Sequence, residues 1–207
     1  MPSPSRVTRD TIRETALELI DRDGLAGLSM RKLASELGVQ APSLYGHVET
    51  KDDLLHDIAE GIMEKVDVSD FAGGDWSRGI RTWARSYRAA LAEHPNMVPF
   101  LAAGPARRET ALARADAVHG GLVGAGWPPR YATMIGASTK YLVLGAAMGS
   151  FSRGFEEDVR VYLERYPNLS QAHRLARHAE EIDAGSFELA LDAFVRGLEA
   201  VYAEVAG

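Results

Sequence analysis

The stretch LASELGVQAPSLYGHVETKDDLL, residues 33–55, constrains the fold more than any other, because it holds three helix signals in one short run. Leu33, Ala34 and Leu37 continue an apolar face that Met30 opens, and Ser29 stands where a hydroxyl can cap that helix. Gly38-Val39 then turns the chain. The next helix must begin near Gln40, since Pro42 fits only a first turn, where its missing N–H goes unused. It is over by His47, with Leu44 and Val48 as anchors. Thr50 followed by Asp53 reads as a capping box that opens a further helix through Leu54, Leu55, Ile58, Ile62 and Val66. A helix as short as the middle one buries little by itself. Its outer residues are held out for something to touch.

The rest of the chain repeats the helical period. Ile12, Ala16, Leu19 and Ile20 share one face of a first helix, which Gly24 stops. Strand signals are nearly absent, so the expected class is all-α. At 67–75 the segment DVSDFAGGD breaks the pattern with paired glycines and three acids, and a domain boundary is expected there, dividing 1–66 from 67–207. Beyond it the spacing predicts helices near 75–94, 96–103, 105–124 and 128–153, with Pro95, Pro105 and GAGWPP at their junctions. Residues 154–185 are charged and less regular, with two short helices expected around Pro167. Ser186 is expected to cap a last helix. Its Phe187, Leu191, Phe194, Leu198, Val201 and Val205 form a heptad-like stripe suited to packing against another helix of the same kind.

Composition narrows the function. There is no cysteine, so no disulfide framework, thiol nucleophile or Cys-ligated zinc. The opening MPSPSR carries no apolar signal region, and no apolar run approaches the roughly 20 residues that span a bilayer. A cytoplasmic protein away from membranes is expected. Net charge is −6, and residues 1–50 carry six Lys/Arg against seven Asp/Glu, so any nucleic-acid binding comes from a local patch. Of His94, His119, His173 and His178, the last two stand five apart, which misses the i, i+4 face of helical metal ligands, and their neighbours Glu180 and Glu181 read as solvated residues; no metal is expected. GLVGAG at 121–126 follows no strand and reads as a helix stop. No nucleophile motif or phosphate loop points to an enzyme, and no cofactor is implied.

A capped helix, a tight glycine turn and a short second helix make a helix-turn-helix, here about 29–48. At this point GLSMRKLASELGVQAPSLYGHVETKDDLL resembles the DNA-binding domain of the tetracycline-repressor (TetR) family of one-component regulators. The likeness lies in Leu33-Ala34, Leu37-Gly38-Val39, Leu44-Tyr45, His47-Val48 and Lys51 followed by Leu54-Leu55. The C-terminal SFELALDAFVRGLEA is similar, more loosely, to the last helix of the tetracycline-repressor subclass. The resemblance implies an N-terminal three-helix DNA-binding domain and a C-terminal helical domain for ligand binding and dimerisation.

By that resemblance Ser29, Tyr45, His47 and Lys51 go to phosphates, and Arg31 matches a base-reading arginine whose fork suits guanine. Gln40 and Ser43 offer groups to base edges, and Ala41 and Pro42 offer apolar contact to a thymine methyl. Ala41 and Gly46 stand where tetracycline repressors carry Gln and Trp, which implies a different operator. In the second domain the His and Asn pattern of the tetracycline–magnesium site is not reproduced. Trp83, Tyr87, Phe100, Asp116, Tyr131, Met134 and Tyr141 are the candidate effector residues, which points to a largely apolar or aromatic compound. Aromatics at helical spacing also build cores, so each of these stays open between the two roles. The family pairs through two C-terminal helices per subunit, here the Gly/Ala-rich 130–150 and 186–205. The expectation is a homodimeric regulator on a pseudo-palindromic site, a repressor released by a small effector. The alternative is the same DNA-binding protein governed by a protein partner, or acting as an activator.

Overall fold

A computed structural model describes residues 7–103, 109–163 and 165–205. All regular structure among them is helical. Helix α1 (Arg9–Asp23) opens on a capping box that the sequence reading missed, in which Thr8 and Thr11 exchange side-chain and backbone bonds. Its face of Ile12, Ala16, Leu19 and Ile20 is fully buried, and it ends at Gly24 with φ 76°. In α2 (Met30–Glu36), the Ser29 hydroxyl accepts the Lys32 N–H at 3.2 Å. At its other end, Val39 N–H donates to the Ala34 carbonyl and Gly38 N–H to that of Ser35, which is the paired bond pattern of a Schellman stop. Gly38 there has φ 67°, a left-handed backbone that a side chain would strain.

Helix α3 (Ala41–Leu44) is a single turn with proline in its first positions, and Leu44 is its buried residue. Val48 is buried just beyond. Helix α4 (Lys51–Met63) is capped by Thr50, whose hydroxyl accepts the Asp53 N–H at 3.0 Å and donates to the Asp53 carboxylate. Asp57, a buried carboxylate on α4, pairs with Arg9 and so fixes α1 against α4.

Helix α5 (Trp76–Glu93) follows a short 3-10 segment, Ser69–Gly73. The chain divides into two compact units. The first takes residues up to Asp67 and Ala89–Arg114, and the second takes Val68–Arg88 and everything from Ala115 on. Within the first, Asn96 donates its amide to the carbonyls of Ile20 and Asp21, and His94 Nδ1 lies 2.9 Å from the Asp21 carboxylate. These bonds satisfy the open end of α1. Helix α6 (Val98–Ala103) continues from there.

In the second unit Phe71 is buried in a slot that two glycines create. A Cβ on Gly79 would come within 2.8 Å of the Phe71 ring, and one on Gly121, in α7 (Glu109–Gly124), within 2.5 Å of the Phe71 Cβ. Four aromatics, Trp76, Trp127, Tyr131 and Tyr202, form a second knot with ring centres 5.0–6.1 Å apart. The Tyr202 hydroxyl donates to the Ala125 carbonyl at 2.5 Å, which joins the turn after α7 to the end of the chain.

Several boundaries differ from expectation, and α4 already ends at Met63, short of Val66. Helix α8 (Pro129–Ala147) stops short of 153, because Gly149 takes φ 154° and a separate turn, Phe151–Gly154, follows. After α9 (Arg160–Leu163) and two 3-10 turns, the last helix α10 (Ala179–Val205) begins seven residues before Ser186, which therefore rides inside it. Glu180 and Glu181 in its first turn favour that earlier start, since acids are stabilised at a helix N-terminus. Arg81 and Arg85 of α5 bond to Asp192 and Glu188 of α10, and Arg88 lies over the Phe187 ring.

Candidate nucleic-acid interface

The first unit holds α3 by its inner residues alone. Leu44 and Val48 are buried, while Gln40, Pro42, Ser43, Tyr45, Gly46 and His47 are exposed and Ala41 is half-buried. Tyr45 keeps 53% of its surface in water, a large loss of burial for a tyrosine beside a core leucine. Gln40 stands at the start of α3 without spending a side-chain bond on the cap. The side chains of Arg31, Gln40, Ser43, Tyr45 and His47 make no hydrogen bond or ion pair among the described residues. An Arg fork, an amide, a hydroxyl, a phenol and an imidazole are thus presented together at the helix-turn-helix. That is a set able to read base edges and touch phosphates.

The neighbouring cations are committed elsewhere. Lys32 bonds to Asp23 at 2.8 Å, and Arg22 bridges Asp23 and Glu36 at 3.0 and 2.7 Å. These bonds hold the Asp23 carboxyl below its ordinary range, with Lys32 the larger cause, and push the Arg22 guanidinium higher, chiefly through Glu36. The ladder ties the end of α1 to α2. Lys51 donates its ammonium to the Leu28 carbonyl at 2.6 Å, so it braces the start of α4 against the segment before α2. An ammonium has three protons, and this bond uses one. The Ser29 hydroxyl is likewise engaged, as the α2 cap.

The candidate effector residues are distributed. In the second unit Trp83 meets the Phe71 ring edge-on at 6.3 Å, Tyr87 is buried, and Tyr131 stacks obliquely on Trp127. Asp116 lies on a cleft of about 610 Å³ whose walls include Val68, Phe71, Gly120 and Gly121. Phe71 carries no signal in the sequence alone, since only the packing of Gly79 and Gly121 against it reveals its seat. Phe100 belongs to the first unit, where its ring stands 5.1 Å from that of His56. Met134 and Tyr141 are on the outer face of α8, with 51% and 72% of their surface exposed. The histidines hold other partners: His173 the Ser170 carbonyl, His178 Glu181, His119 the Pro129 carbonyl. No helix among the described residues is long and apolar enough to cross a membrane.

Two family models match this chain: bacterial regulatory proteins, tetR family, over residues 12–58, and the tetracyclin repressor-like C-terminal domain over residues 70–202. The chain belongs to the tetR family. An HTH-type transcriptional regulator of Saccharopolyspora erythraea is 36% identical over 140 residues, which are 68% of this chain and 59% of that protein. The class D tetracycline repressor of Escherichia coli is 40% identical over 89 residues, 42% of this chain and 41% of the repressor. The chain thus spans less than two thirds of the length of each of these two relatives. The class E repressor of E. coli is 29% identical along 95% of this chain and 92% of its own. Among solved structures, a possible TetR family transcriptional regulator from Streptomyces coelicolor A3(2) has TM-score 0.73 and 31% identity, covering 93% of this chain and 99% of that one. ActR of S. coelicolor in complex with actinorhodin has TM-score 0.75 and 26% identity, covering 95% and 97%.

Proposed function

We propose that this tetR-family regulator binds, as a homodimer in the cytoplasm, a pseudo-palindromic DNA operator and represses transcription until a small, largely apolar or aromatic effector releases it. Residues 1–66 act as the DNA-binding domain and 67–207 as the effector-binding and dimerisation domain. The observation that carries the reading is the bare surface of the helix-turn-helix, where Arg31, Gln40, Ser43, Tyr45 and His47 make no side-chain hydrogen bond or ion pair among the described residues.

Roles follow from chemistry. Arg31, Gln40 and Ser43 face base edges, while Ala41 and Pro42 give apolar contact. Tyr45, His47 and the remaining protons of Lys51 take phosphates. Ser29 adds a phosphate contact from the α2 cap. The pairing surface is the outer face of α8 with α10, where Met134, Tyr141 and Met148 recur every seven residues and stay exposed. Two recognition helices then meet successive major grooves, roughly 34 Å apart. An effector need only favour a head spacing that misses that distance. The effector site lies in the second unit, where Trp83 meets the Phe71 ring, Asp116 lines the cleft beside Phe71, and Tyr87 is buried. ActR, similar over 95% of this chain, is solved in complex with actinorhodin, which supports a bound effector here.

Selection of random duplexes on the purified chain tests the reading. Enrichment of a two-fold site, bound by two copies and released by aromatic compounds, is the expected result. A site released only by another protein, or by no compound, favours the partner-controlled alternative. No enriched duplex overturns the DNA-binding role.

A further inference from the structure

Trp127 follows the end of α7 and is sunk to 1% exposure, yet its indole N–H finds no acceptor. Among the described residues it is the one buried side-chain nitrogen or oxygen left without a hydrogen bond. The backbone of the same residue is satisfied, since its N–H donates to the Leu122 carbonyl at 3.1 Å. A tryptophan buried this far ordinarily gives its indole N–H to an acceptor, because an unmade bond leaves the full cost of taking the group out of water. Phenylalanine would supply an aromatic ring without that cost. The packing of the chain therefore gives the donor no use.

An acceptor from outside would. The donor belongs to the knot of Trp76, Trp127, Tyr131 and Tyr202, all in the second unit. The other three residues are half-buried, so the knot reaches solvent through them. The Tyr202 ring, centred 5.0 Å from that of Trp127, lies in the last turn of α10 and is tied by its hydroxyl to the Ala125 carbonyl. That hydroxyl sits so close to Gly126 that a Cβ there would come within 2.8 Å of it, and Gly126 has φ 103°. Tyr202 thus has the form of a cover, seated over Trp127 where a glycine makes room for it.

The cleft of about 610 Å³ leads to the same place. Gly74, Gly121 and Gly124 line it, Trp76 opens α5 two residues after Gly74, and Trp127 comes three residues after Gly124. The Ala125 N–H donates to the Gly121 carbonyl at 3.0 Å, which folds the turn carrying Trp127 back onto the wall of the cleft. Resting on the effector reading above, we infer that Trp127 is the polar anchor of the effector site: its indole N–H donates to an oxygen acceptor on a flat aromatic ligand, whose ring takes the place of Tyr202 over Trp127. Aromatic surface and one placed donor then select together, a ring for the knot and an oxygen for Nε1. Tyr202 is part of α10, one of the two helices assigned to pairing, so moving its ring carries occupancy to that helix.

The test uses the full-length chain and two probes of one shape, 2-acetylnaphthalene, which has a carbonyl oxygen, and 2-isopropylnaphthalene, which has none. Calorimetry gives the affinities of wild type and Trp127→Phe. Nitrogen-15 NMR follows the three indole signals of wild type, assigned with Trp76→Phe and Trp83→Phe. Wild type is expected to bind the acetyl compound about tenfold more tightly, the scale of one hydrogen bond, and Trp127→Phe to bind both alike. The Trp127 indole proton should move downfield with the acetyl compound and not with its partner, a readout independent of how well the variant folds. An acetyl preference that survives in Trp127→Phe, or an indole signal that stays in place, overturns the inference. Equal binding of both compounds by wild type also overturns it, by leaving the N–H to a neighbouring ring face, while the aromatic-effector reading stands. Binding of neither overturns it as well, and the aromatic-effector reading is then decided by whether other aromatic compounds release the operator.

Discussion

Arg31 and Lys51 are both basic residues of the helix-turn-helix, and the structure gives them different work. Arg31 is exposed with a fork that has no partner among the described residues, whereas Lys51 is half-buried and bonded to the Leu28 carbonyl. Arg31→Ala is expected to cost about 1–3 kcal/mol on the preferred operator and to relax one symmetric base position. Lys51→Ala is expected to weaken all sequences alike and to lower the slope of log K against log salt by about one per copy. Binding to selected and scrambled duplexes across a salt series separates the two; a Lys51→Ala slope equal to wild type would restrict Lys51 to its bracing role. Much of this surface was legible in the sequence, because the four-residue spacing of Leu44 and Val48 decides which neighbours cannot be buried. The partner of Lys51 was not. It is a backbone carbonyl 23 residues away, and no side-chain pattern marks a carbonyl.

Helix ends obey the same contrast. Ser29 and Thr50 were readable as caps, since a hydroxyl three residues before its target N–H is a local signal. The start of α10 was not readable, because Ser186 offers an equally good local cap and only the chain before it decides. At the start of α5, Asp75 accepts the Arg78 N–H at 3.0 Å and the Ser77 hydroxyl at 3.1 Å, which holds its carboxyl below the ordinary value. A depressed carboxyl stabilises the fold above its unfolded pKa and loses that contribution as the pH falls through the folded one. Asp75→Ala is therefore expected to cost about 1 kcal/mol in urea unfolding at pH 7. The gap from wild type should narrow below pH 3.8. A gap independent of pH would mean that the cap owes nothing to charge. The two glycines around Phe71 give a second element-scale expectation. Gly121→Ala forces a Cβ within 2.5 Å of the Phe71 Cβ, and overpacking of that kind costs about 1–3 kcal/mol. Pairing it with Phe71→Ala should recover part of the loss if the clash is the cause, which a double-mutant cycle reads directly.

For the molecule as a whole, charge argues for two copies on the proposed operator. The chain carries −6, and Lys32 and Arg22 are tied up by acids, so one copy brings few free cations to a phosphate backbone. Two copies double the contacts and read both halves of a two-fold site. The outer face of α8 is the proposed pairing surface, with Tyr141 and Met148 each more than seven-tenths exposed and seven residues apart. Apolar side chains in that register fit a helix pair and serve no purpose in water. Placing a carboxylate in such a contact leaves it buried and unpaired. Tyr141→Glu is thus expected to raise the dimer dissociation constant about a hundredfold, while single copies keep their helical content. Sedimentation over a concentration series reads the first effect and circular dichroism the second. Operator binding should fall with dimer population and recover at high protein concentration, because the helix-turn-helix itself is untouched. If Tyr141→Glu stays dimeric, α8 is not the pairing face. If it becomes monomeric yet binds the full operator as wild type does, the heads act singly and the two-fold reading fails.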